Sequence, residues 1–229
     1  MNSDGGLWIG LASLNKVNDV NDATGGPVPT PAEFDMRFIV HVDASGAARL
    51  LKQVILMRRR VPAGQPASFA LVTDDNRLPE FTGAELKDGK PFGYRVSSIG
   101  YDFAGNELVL NGGFGGALAG TLVIDRNLPT HPMKHRFHPD HDDLDGQFRP
   151  LPNPPPPNAT PDQDEVWKIT RTLELVFDAP GNSNKPADAT LRTGTYSETL
   201  TGLHKQALVA EGTFTLRRVN QLTELNPAP

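Results

Sequence analysis

The chain has no cysteine among its 229 residues, which excludes disulfides, thiolate metal ligands and cysteine nucleophiles together. Aromatic residues are scarce at 7%, and no stretch approaches the roughly 20 apolar residues of a membrane-spanning helix. Met1–Gly6 lacks the basic segment and the apolar run of about 7–15 residues that mark a secretory signal. Positive charge is also short: 22 Lys and Arg against 27 Asp and Glu leave a net −5, which gives no electrostatic reason to bind nucleic acid or an anionic membrane. The sequence contains no Gly-x-Ser-x-Gly elbow, no phosphate-binding Gly-x-x-x-x-Gly-Lys, no His-Glu-x-x-His and no Gly-x-Gly-x-x-Gly after a strand.

Glycine and proline are abundant, 22 and 21 residues, about a fifth of the chain. That share points to many turns and few long helices. Period-2 alternation dominates between Gly, Asn, Asp and Pro clusters, and this is the grammar of strands. Strands are expected at 7–17, 33–42, 49–58, 68–73, 94–103, 107–111, 117–124, 166–178, 193–201 and 207–219. Glu33–Val42 is the clearest: Phe34, Met36, Phe38 and Val40 alternate with Asp35, Arg37, Ile39 and His41. With 49–58 it should form a hairpin across Asp43-Ala44-Ser45-Gly46. Residues 94–103 and 107–111 should form another across Ala104-Gly105-Asn106, whereas 18–31 reads as a loop and 84–88 as a short helical turn. The expected fold is one all-β domain over residues 1–229. It would be an antiparallel β-sandwich or barrel of about ten strands with one long His/Asp- and Pro-rich insertion.

Four smaller features have plain structural explanations. Gly112-Gly113-Phe114-Gly115-Gly116 lies between two strands and reads as a β turn, and Arg58-Arg59-Arg60, the only basic run, reads as a solvated strand tip. Gly194-Thr195-Tyr196 and Gly212-Thr213-Phe214 echo each other, which reads as strand grammar rather than duplication. Glu198 and His204 flank the last hairpin and are expected to pair with each other.

The insertion, residues 125–164, is where candidate chemistry concentrates; a loop of that length inside a compact domain usually marks a functional lid, an interaction arm or a disordered insert. Its second part, 149–162, holds Pro150, Pro152, Pro154, Pro155, Pro156, Pro157 and Pro161 and should run as polyproline II, a spacer or strap. Its first part gathers His131, His135, His138, Asp140, Asp142 and Asp145. Convergent imidazoles would suit zinc, with Asp140 or Asp142 as oxygen ligand or orienter. Asp140-x-Asp142-Asp143-x-Asp145-Gly146 offers calcium several hard oxygens and a glycine for a sharp turn. It is no EF-hand, because Leu144 takes the fifth place and Gly146 the seventh. Oxygen ligands from Asp140, Asp142 and Asp145 are favoured, since Pro132 and Pro139 hinder the helical turn that three histidines would share. The competing explanation is an ordered loop in which these carboxylates pair with Lys134, His135 and Arg136.

Two resemblances add context. Gly6-Leu7-Trp8 resembles the Gly-x-Trp opening strand of lipocalin-like barrels, though an aromatic plugging one end of a β core accounts for it as well. Gly6–Gly10, Phe38–Asp43 with Arg49–Leu51, Leu71–Asp75, His135–Asp142 and Tyr196–His204 with Gly212–Phe214 together resemble an uncharacterised β-rich domain. That domain occurs near the C-terminus of large exported bacterial proteins. The resemblance implies an extracellular or cell-surface β module and supplies no catalytic residue.

Three functions remain open. The first is a non-enzymatic surface module that contributes to an assembly, with itself as partner in a homo-oligomer or filament, through strand edges and the proline strap. The second is a metal-dependent hydrolase or lyase built on the His/Asp cluster, and the third a barrel that holds a small apolar ligand.

Overall fold

The computed structural model describes residues 3–22, 24–83, 85–88, 90–98, 105–124, 168–179, 188–202 and 206–229. Eight antiparallel strands close into a barrel: β1 (Gly6–Val17), β2 (Val28–Val42), β3 (Ala48–Leu51), β9 (Glu107–Gly112), β10 (Ala117–Ile124), β11 (Ile169–Phe177), β12 (Leu191–Thr201) and β13 (Leu208–Asn220). Around the barrel each strand pairs with the next barrel strand in chain order, and β13 closes on β1. This is an up-and-down meander. Closure leaves no terminal edge strand in the ring, the usual solution to the exposed-edge problem of β proteins.

Alternation builds the interior. Trp8 and Ala12 of β1, Met36, Phe38, Val40 and Val42 of β2, Leu118, Leu122 and Ile124 of β10, and Leu173, Leu175 and Phe177 of β11 share inward parity and are buried in one cluster. One end of the barrel is filled by aromatic rings. Trp8 and Phe114 stand 4.7 Å apart, Phe114 and Phe177 4.8 Å, and Phe177 and Phe214 5.2 Å. Trp8 has a polar lid: its indole N–H donates to the Asp4 carbonyl at 2.8 Å, and the guanidinium groups of Arg192 and Arg218 each lie 5.4 Å from its ring centroid. The expectation that an aromatic plugs one end of the core holds for Trp8.

Between β3 and β9 the chain leaves the barrel and builds a second layer. β4 (Gln53–Arg58) is the centre of a three-stranded sheet, flanked by β5 (Phe69–Val72) and β8 (Tyr94–Ser97), while β6 (Glu85–Lys87) and β7 (Lys90–Phe92) form a separate hairpin. β4 is apolar on both faces for a reason. Val54 joins a core of Leu7, Ile39, Leu51 and Leu71 with Leu222 and Leu225 of the C-terminal tail, whereas Ile55 and Met57 join Ala70, Val72 and Phe81. A strand buried on both sides reads as a continuous apolar run.

The structure corrects several expectations. The antiparallel all-β class holds and the architecture is a barrel with a small added sheet, of thirteen described strands rather than about ten. Residues 49–58 are two strands in two sheets, β3 and β4, because the chain breaks at Lys52; only β3 forms the hairpin with β2. Among the described residues the pairing expected across Ala104–Asn106 is not found, as β8 pairs with β4 while β9 pairs with β3 and β10. β2 starts at Val28, inside the segment read as a loop, since Pro29 and Pro31 are tolerated at a strand margin that demands few donors. The short helix is a 3-10 turn at Asp75–Glu80, capped by the Asp74 carboxylate on Asn76 N–H, and not at 84–88, where β6 and β7 turn back through Asp88 at φ 51°. The insertion 125–164, with its proline segment 149–162, lies outside the described residues.

Candidate functional site

His131, His135, His138, Asp140, Asp142 and Asp145 all lie outside the described residues, so the metal-ligand reading rests on sequence alone. Among the described residues no three His, Asp or Glu side chains gather as a metal ion would require, and no helix is long and apolar enough to cross a membrane. The chain enters and leaves that insertion at Ile124 of β10 and Lys168 before β11, at the barrel end opposite Trp8.

That end holds the one carboxylate among the described residues that is fully buried. Glu198 occupies an inward position of β12 and its side chain is 2% exposed; Arg171, an inward position of β11, is 11% exposed. In register Glu198 stands opposite Leu173 and Arg171 opposite Leu200, so the pair meets on the diagonal between adjacent strands. The guanidinium grips both carboxylate oxygens, from Nε to Oε1 and from Nη2 to Oε2 at 3.0 Å, and Tyr196 Oη donates to Oε2 at 3.1 Å. The expected partner of Glu198 was His204, which lies outside the described residues; the partners found are Arg171 and Tyr196. A charge at inward parity in Ile169-Thr170-Arg171-Thr172-Leu173-Glu174-Leu175 was the available signal. The bidentate ion pair and the Tyr196 bond lock β11 to β12.

A second polar network lies outside the barrel, where β3, β9, β5 and the C-terminal tail meet. Glu107 Oε1 accepts from Thr73 Oγ1 at 2.9 Å and from Asn226 Nδ2 at 3.0 Å, while Arg49 Nε stands 3.6 Å from Glu107 Oε2. Arg49 also reaches Asp43 Oδ2 at 3.3 Å. Asp43 Oδ1 takes the Ser45 hydroxyl and the amides of Ser45 and Ala47, and these bonds, led by the hydroxyl, lower the pKa of Asp43 to about 2.

The outer wall is unusual in composition. The outward residues are Ala117, Ala119, Thr121 and Val123 on β10, Thr170, Thr172, Glu174 and Val176 on β11, and Thr193, Thr195, Ser197, Thr199 and Thr201 on β12. Glu174 is their single charge, against about 25–35% charged residues on an ordinary soluble surface. Val123 and Val176 are 40% and 43% exposed, and Val109 on neighbouring β9 is 61% exposed. Thr121 and Thr172 hydroxyls meet across strands at 3.3 Å.

No family model matches the chain, and no curated protein matches it.

Proposed function

We propose that the chain is a non-enzymatic structural module that associates with further copies of itself through the low-charge wall of β10, β11 and β12. The observation that carries this reading is the wall itself: three adjacent strands present Thr, Ala, Val and Ser with Glu174 as their only charge. A surface of that kind loses little solvation when covered, and the same patch on two copies makes a self-complementary contact. In this reading the contact is a strand face of the barrel rather than a strand edge. Light scattering at high micromolar concentration tests it. A mass above the monomer that returns to monomer in Thr172→Lys and Val176→Glu, with melting unchanged, is the expected result; a strict monomer in the unaltered chain rejects it.

A second reading, a barrel for a small apolar ligand, is favoured by Phe34. It has inward parity at the end opposite Trp8, pairs with half-buried Leu14 and is 62% exposed. An apolar fluorescent dye whose emission rises with the chain and falls in Phe34→Ser would support this reading.

A further inference from the structure

His41 faces outward from the barrel wall and is nevertheless 1% exposed. Its Nε2 lies 3.0 Å from the Leu222 carbonyl oxygen, so the neutral ring donates Nε2–H there. Nδ1 is buried with no hydrogen-bond partner among the described residues. Leu222 belongs to the tail 221–229, which leaves β13 and runs beside β5, the edge strand of the added sheet, as a strap. The strap is held by the parallel bridge of Leu225 with Leu71, by the Asn226 amide on the Leu71 carbonyl at 2.8 Å, and by Arg77 on the carbonyls of Asn226 and Pro227. The charged groups that act on the imidazole come from three elements: Arg49, its cross-strand partner on β3, Asp43 in the following turn, and Glu107 on β9.

We propose that His41 is an acid-sensitive latch for this C-terminal strap. A charged ring places a second N–H, at Nδ1, where no acceptor stands, and sets a cation beside Arg49; lifting the strap admits water to both. The barrel wall does not yield in its place, because at His41 β2 is paired on both sides, to Leu7 and to Arg49. Lifting Leu222 and Leu225 uncovers Leu7, Ile39 and Leu71, so the latch converts acidity into an exposed apolar surface. Burial, opposed by the Leu222 bond, and then Arg49, opposed in turn by Asp43 and Glu107, leave the pKa of the docked ring below its ordinary 6.5. The sign follows from linkage. The released ring takes its proton near 6.5 and the docked ring resists, so docking is complete above that pH and weakens about tenfold per pH unit as pH falls between the two values.

NMR of the full chain between pH 7.5 and 4.5 tests the latch by following the His41 ring with the amides of Leu225 and Asn226. The expected result is loss of the docked amide positions in step with protonation of the ring, while the amide of Leu173 in β11 stays in place. His41→Gln keeps a donor for the Leu222 carbonyl but has no titrating proton, and should hold the strap docked across the range. Strap amides that remain docked after His41 has fully protonated overturn the proposal, and so does release at the same pH in His41→Gln. The first comparison needs only the unaltered chain, so it decides even where the variant does not fold.

Discussion

At the scale of single residues, the interior of the barrel tolerates charge only as a matched set. Glu198 is 2% exposed and bonded by Arg171 and Tyr196, so Glu198→Ala removes the acceptor of three buried hydrogen bonds and should cost about 3–5 kcal/mol in urea unfolding. The double change Arg171→Met with Glu198→Leu should recover most of that loss, because an apolar pair of similar volume removes both desolvation penalties. Glycine is equally constrained where strands approach closely. A Cβ on Gly194 would sit 2.0 Å from the Val176 carbonyl oxygen and 2.7 Å from the Phe214 ring. Gly194→Ala should therefore lower stability by about 1–3 kcal/mol, read from the urea midpoint at constant slope. The two copies of the Gly-Thr-aromatic echo face each other, Gly194 opposite Phe214 and Gly212 opposite Tyr196, but the glycines answer different neighbours: a Cβ on Gly212 would sit 1.9 Å from the Ser13 carbonyl oxygen of β1.

At the scale of elements, the β2–β3 turn and the C-terminal strap are joined through polar side chains rather than by apolar packing alone. Asp43 has its pKa lowered to about 2 from an ordinary 3.8. Its contribution is thus present above pH 3.8 and lost as the pH falls through about 2, so Asp43→Asn should lower the neutral-pH melting temperature and flatten acid unfolding in that window. The strap depends on Asn226, at φ 51°, whose side chain bonds Thr73 twice and Glu107 once. Asn226→Gly retains the left-handed backbone and removes those bonds, so a loss of about 1–3 kcal/mol is expected in thermal unfolding, with Thr73 and Glu107 left under-bonded.

At the scale of the whole molecule, closure of the barrel governs which surfaces can act, and one question stays with the insertion that holds His131, His135, His138, Asp140, Asp142 and Asp145. If those residues bind an ion only in the folded chain, chelation should lower the melting temperature, by the equivalent of about 2.7 kcal/mol when free metal stood a hundredfold above its dissociation constant. A zinc site of imidazoles should lose that chelator response between pH 7.5 and 5.5, whereas a calcium site of carboxylates should keep it. The sequence by itself determined where most of the barrel strands run, since a period of two in Phe34–Val40 or Leu173–Phe177 is imposed by the pleat, and in those two it marked the inward face. Tertiary structure decided the rest. That β3 and β4 part at Lys52 into two sheets, that β8 and β9 do not pair, and that Glu198 meets Arg171 all depend on which strands lie side by side. Local alternation reports a strand's own faces. Neighbours are chosen by closure of the sheet, a long-range property to which each strand contributes only its twist and its edges.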